Sequence, residues 1–253
     1  MFSLNEQKAI ELGQAGEKAV RQQNDYDALQ NIEYLREFGE ELFGANLETD
    51  LKRVIISLRN IGNKAIQKKS ENVASAVVEV LKTLAELTLE KKFSIALLSF
   101  SKALQEVGKG AAQFQMLDAA KNAVDTLEII GSGAVINKME VVTLWTTLAL
   151  EEIDYIASRQ QLEDLSKVAK NARERIIKSS EATDFIPREQ IEKYPQLIAH
   201  SVREFAELQN IQPAGYAGKP NEEFTEEKIF EKEAIESEEE KPEYEPSEKK
   251  NKP

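Results

Sequence analysis

Residues 58–65 read LRNIGNKA, and the phrase returns every 23 residues. LGQAGEKA begins at Leu12, LREFGEEL at Leu35, LKTLAELT at Leu81, LQEVGKGA at Leu104, LEIIGSGA at Leu127 and LEEIDYIA at Leu150. A fixed period of roughly 20–50 residues marks a repeat array. With the leucine as position 0, apolar or small residues gather at −7, −4, −3, +3, +4 and +7. In the third unit these are Leu51, Val54, Ile55, Ile61, Gly62 and Ala65; in the fifth they are Leu97, Phe100, Ser101, Val107, Gly108 and Ala111. Steps of three and four place them on one face of a helix.

One helix of about 18 residues and a short connection fill such a unit, and short connections force neighbouring helices antiparallel. Two units then make a helical hairpin of 46 residues. The pattern predicts helices near 3–21, 25–43, 49–67, 71–89, 94–111, 116–133, 138–157 and 161–179. Ser3 with Glu6 forms a capping box for the first. Asp25, Ser70 and Asn137 stand where later helices are expected to begin. Position +4 holds Gly16, Gly39, Gly62, Ala85, Gly108 and Gly131 before breaking at Asp154. A glycine inside a helix costs about 1 kcal/mol relative to alanine. Its recurrence at one register predicts close approach of another helix.

The antiparallel pairs of 46-residue period resemble the HEAT and armadillo arrays, over about residues 3–180. The resemblance implies an α-solenoid. The expected fold is therefore all-α, a right-handed solenoid of eight single-helix units. In the eighth unit Arg173 replaces the leucine and the stripe slips to Leu165, Val168, Ala169, Ala172 and Ile176, as in a capping repeat. The chain divides into an array over 1–180, a linker and docking helix over 181–210, and a tail over 211–253. The docking helix is expected at about 195–209, with Pro195 at its first position and Leu197, Ile198, Val202, Phe205 and Leu208 on its stripe.

All seven prolines lie at or beyond Pro187, which leaves the preceding chain free for continuous helices. No cysteine is present, which excludes disulfides and thiolate metal sites. The start, MFSLNEQKAIELG, has no basic region followed by an apolar one, and the most apolar stretch, Val141–Leu150, is too short to span a bilayer. These features predict a cytoplasmic protein. The net charge of −12 argues against general nucleic-acid binding. From Lys219 onward 13 acids face 7 bases among few apolar residues, a composition that predicts disorder. Phe224–Glu240 spaces apolar residues and acids in a way that permits folding on a partner.

Charge is uneven. Residues 51–121 carry +6, although the chain as a whole is acidic. Lys68–Lys69 and Lys91–Lys92 end successive helices and so belong to opposite edges of the array. Lys18 and Lys64 share a repeat position and face the same way. With Lys109 and the sole tryptophan, Trp145, these residues are the candidate partner-binding set. The cations suit an acidic partner, an anionic lipid surface or the chain's own acidic tail; solvated loop lysines are the plainer alternative. Trp145 is read either as core or as an exposed anchor.

Residues with the spacing of a catalytic or metal-binding motif are not found. A single histidine, His200, excludes HExxH helices and paired Glu-x-x-His motifs. Glu151 and Asp154 are helical neighbours and Glu152 points elsewhere, an arrangement common on solvated helices. Asp154 is expected to face solvent or to meet Arg159 or Lys170. The expected function is a non-enzymatic scaffold for a protein or peptide, with no cofactor and with its acidic tail tuning access. The alternatives are a peripheral membrane adaptor and a helical-repeat enzyme, the latter requiring a pocket that joins Trp145, Asp154 and a base.

Overall fold

The computed structural model describes residues 3–195. Regular structure among the described residues is entirely helical. The helices are α1 (Leu4–Arg21), α2 (Asp25–Gly44), α3 (Glu48–Gln67), α4 (Glu71–Lys91), α5 (Ser94–Gln113), α6 (Leu117–Ile136), α7 (Glu140–Arg159) and α8 (Glu163–Ala182). Residues 188–195 are helical as well. Each helix packs against its sequence neighbours and against the helices two places away. The odd-numbered helices therefore form one layer and the even-numbered helices a second, with the core between them.

The repeated leucine lies at the centre of this core. Leu35, Leu58, Leu81, Leu104, Leu127 and Leu150 are all fully buried. Leu12 is half-buried, because no earlier pair of helices covers α1. The glycine register does what its recurrence predicts, and the helix that approaches is the next one in the same layer. A Cβ on Gly16 would lie 2.5 Å from Ile61, one on Gly39 2.8 Å from Leu84 and one on Gly62 3.0 Å from Val107. One on Gly108 would lie 2.7 Å from Ile153. The same site on Gly131 faces Ile176. In every case the partner is the +3 residue two units later, 45 positions along. A second set, Gly110 and Gly133 at +6, admits Ile66 and Leu89 of the preceding helix in the layer.

The connections repeat with the same period. Gln23, Asn46, Lys69, Lys92, Gln115, Lys138, Gln161 and Asp184 all have left-handed backbones, with φ from 48° to 59°. Each closes a Schellman motif. After α1, for example, the amide of Asn24 donates to the carbonyl of Ala19 and that of Gln23 to Val20. Only three residues join most helices, and the last serves both neighbours. The Met116 amide closes α5 while its carbonyl accepts from Ala120 in α6. This shared residue is usually apolar: Met116 is buried, and Phe93, Met139 and Leu162 pack on the core.

Helix starts differ in part from expectation. The Ser3–Glu6 capping box forms. Asp25 follows the cap of α2, which is Asn24. Ser70 holds the cap position of α4 but donates its hydroxyl to Asp25 at 2.9 Å. Asn137 closes the end of α6. The apolar caps cannot accept amide protons, and carboxylates 47 or 48 residues earlier do so for two helices. Glu48 accepts from Ile95 and Ala96 at the start of α5, and Glu71 from Asp118 at the start of α6. These carboxylates also face the positive ends of the helix dipoles.

Periodicity does not stop after α8. Its Ile176 and Ile177 are fully buried, and the Asp184–Phe185 connection repeats the left-handed motif. Ile186 and Ile191 are buried against Leu144 of α7 and Ile177 of α8, with Tyr194 half-buried beside them. The stretch expected as a linker thus covers the end of the array. Its helix begins at 188, so Pro195 lies within that helix rather than at the start of another. The remainder of the expected docking helix, including His200, and the tail over 211–253 lie outside the described residues.

Candidate interaction surface

The face that the first layer turns away from the second carries a ladder of polar contacts, each rung joining residues 40–47 apart in sequence. Between α3 and α5, Arg59 pairs with Glu106 at 3.1 Å and Asn63 donates to the same carboxylate at 3.2 Å. Between α5 and α7, Gln105 donates to Glu152 at 2.6 Å and Lys109 pairs with it at 2.9 Å. Gln105 also accepts the indole N–H of Trp145 at 3.1 Å. The Lys102 ammonium stands 4.4 Å over the Trp145 ring. Trp145 is half-buried, so its polar edge is anchored while part of the ring stays at the surface. The ladder follows from the repeat: Glu106 and Glu152 are both +2 residues, and Asn63 and Lys109 are both +5 residues.

The candidate lysines separate into two groups. Lys91 closes α2 by donating to the Phe43 carbonyl at 2.6 Å and to Asn46 at 2.7 Å, with its ammonium 4.1 Å over the Phe43 ring. Lys109 belongs to the ladder. Lys18, Lys68, Lys69 and Lys92 are exposed. Lys64 is half-buried and donates to Gln67 at 2.7 Å. Burial, followed by the nearby Arg21 charge, holds the Lys64 ammonium below the ordinary lysine range. Lys68 and Lys69 end α3 and Lys92 ends the antiparallel α4, so the two sites fall on opposite edges.

A groove of about 460 Å³ at the α7–α8 end is lined by Leu150, Glu151, Asp154, Lys170, Asn171, Arg173 and Glu174. Asp154 accepts from Ser166 at 2.6 Å and pairs with Lys170 at 3.6 Å. Arg159 instead lies over the Tyr155 ring. Glu151 pairs with Arg173 at 3.1 Å, whose Nε is buried without a hydrogen-bond partner. Glu151, Glu152 and Asp154 are thus each engaged by different bases. Trp145 is not part of this groove, being nine residues and half a helical rotation away from Asp154.

Gln105, Asn63 and Glu106 carry no mark in the sequence of a single repeat, and Arg59 and Lys102 count there only toward the basic charge of residues 51–121. Their signal, unlike polar residues about two units apart, is legible only once helices of one layer are known to touch.

No protein-family model matches the chain, and neither does any curated protein. Two solved structures show the same kind of fold. A chain described as the "DHF46 filament" superposes with a TM-score of 0.54 at 14% identity, covering 70% of this chain and 98% of that one. Another, the "DHF91 filament", gives a TM-score of 0.55 at 14% identity over 69% and 98%. At that identity the likeness concerns architecture, an all-helical repeat array; it assigns no HEAT or armadillo family. No helix among the described residues is long and apolar enough to cross a membrane.

Proposed function

We propose that this protein is a non-enzymatic interaction scaffold whose first-layer face holds a peptide or protein, with Trp145 as the anchor. The observation that carries this reading is the fixed ring of Trp145, held by Gln105 and flanked by Lys102. Tryptophan is prominent among the residues that dominate interface energetics. A side chain ordered before binding loses less entropy when the partner arrives. The ladder that runs from it through α5 to α3 is similarly ordered by its own contacts.

The test is quantitative affinity capture with three full-chain baits: the natural protein, Trp145→Ala and Lys102→Glu. Circular dichroism melts establish that the baits are folded. The expected outcome is a protein enriched by the natural chain and depleted by about tenfold or more with Trp145→Ala, which corresponds to about 1.4 kcal/mol. Equal recovery by all three baits would place the partner surface elsewhere. Enrichment of nothing by the natural chain would count against a scaffold.

A further inference from the structure

The repeat brings Lys18 of α1 and Lys64 of α3 to the same level of adjacent first-layer helices, 46 residues apart. Arg21 lies about one turn beyond Lys18 and Lys68 about one turn beyond Lys64, with Lys69 next in the connection. Glu17 is the acid in their midst, 3.5 Å from Arg21. Lys64 responds to its burial and then to the charges of Arg21, Glu17 and Lys68, so Arg21 and Glu17 of α1 lie within electrostatic reach of Lys64 of α3. The carbonyl ends of α1 and α3 favour a base in the last turn. That preference does not require the cluster, because α5, α6 and α8 end with no base there.

We infer that this corner of the first layer binds an acidic peptide segment, an assignment that rests on the scaffold reading and names the chemistry of the partner. The spacing sets the pattern. Packed helix axes lie roughly 8–10 Å apart, and three residues of extended chain span about 10 Å. An acid-x-x-acid step therefore reaches across the face from Lys18 on α1 to Lys64 on α3. The geometry favours a narrow chain over a flat anionic membrane. Asp25 and Asp27 open α2 and Glu71 opens α4 at the same edge. A bilayer pressed against that edge meets those carboxylates, whereas a strand lying on the first-layer face avoids them.

The experiment is fluorescence anisotropy on the full chain with a labelled peptide of repeated Glu-x-x steps, alongside sedimentation with phosphatidylserine vesicles. Lys18→Glu with Lys64→Glu is expected to raise the peptide Kd by about tenfold or more, since it replaces attraction with repulsion. Lys92→Glu, an exposed lysine at the opposite edge, is expected to leave the Kd within about twofold. Absence of peptide binding by the natural chain overturns the inference. Equal weakening by Lys92→Glu does so too, since it would reveal a general charge effect. Vesicle binding that is lost in the double variant, without peptide binding, replaces the inference with a lipid site. Because Trp145→Ala is read separately by capture, loss of the acidic site alone leaves the scaffold intact.

Discussion

The two layers are built from one phrase yet differ in what they turn outward. Helices α1, α3, α5 and α7 carry charges of 0, +2, +1 and −3, so the first layer is neutral. Helices α2, α4, α6 and α8 carry −5, −2, −2 and +1, leaving the second layer at −8. The style of pairing differs as well. Apart from Arg21–Glu17 within α1, first-layer charges join neighbouring helices, as Arg59–Glu106 and Lys109–Glu152 do. In the second layer Arg36 serves Glu33 and Glu40 of its own helix, although Arg175–Glu128 does cross between α8 and α6. The phrase constrains the faces turned toward other helices. Outward faces are free to specialise, and here one became a tied polar ladder and the other a solvated acidic surface.

The largest expected effect probes how tightly each layer is packed. Gly62→Leu forces a side chain against the β-branched Val77 and Val107, and Gly108→Leu meets the tip of Ile153 and, behind it, the immovable Ala123 Cβ. Gly39→Leu in the second layer meets the tip of Leu84, which can rotate. Overpacking of this kind costs about 1–3 kcal/mol or more, and urea unfolding is expected to rank the first-layer variants as worse. A cost at Gly39 equal to that at Gly62 would show that the layers are equally tight.

Next in size is the ladder itself. Gln105→Ala removes the partner of the Trp145 N–H and one donor to Glu152, with an expected loss of about 1–2 kcal/mol by denaturant titration. Arg36→Ala on the second layer breaks only solvated pairs and is expected to cost under about 1 kcal/mol.

The connections between the layers give a smaller effect of opposite sign. Lys69→Gly at φ 58° and Gln161→Gly at φ 59° relieve a left-handed backbone while preserving the Schellman bonds. Each is expected to stabilise by up to about 1 kcal/mol, seen as a raised midpoint. A destabilisation would show that these side chains contribute contacts outweighing the strain.

The smallest effect is the pH response of the second layer. The hydrogen bond from Arg36 holds the Glu33 carboxyl below its ordinary value of 4.5. A folded value below the unfolded one adds stability above that unfolded value and loses it as pH falls through the folded one. Stability is therefore expected to decline as pH drops below about 4.5, with a shallower decline in Arg36→Gln. Identical slopes in the two proteins would remove Glu33 from the acid response.

Much of the interior was legible in the sequence. The leucine at position 0 is buried in every unit but the first, and each +4 glycine faces an apolar neighbour. Less was legible in the connections, because none of the left-handed positions is a glycine. The eighth unit looked like an end because Arg173 replaced leucine, yet Ile176 and Ile177 kept their places in the packing. Of the candidate site, Lys18 and Lys64 share a repeat position, and that register is all the sequence offers for them. The role of Lys91 has no local sign, because the carbonyl it closes belongs to Phe43, 48 residues earlier.

The sequence by itself determined the period, the all-helical character and the residues that face inward. Those properties follow from helical spacing within single units, and a local pattern suffices to express them. The tertiary structure alone decided which helices are neighbours in a layer, and with that the reciprocal caps of Glu48 and Lys91, the Trp145–Gln105–Glu152–Lys109 chain and the sorting of charge between layers. Such contacts join residues 40–48 apart, and they exist only where packing has set the distance between two helices.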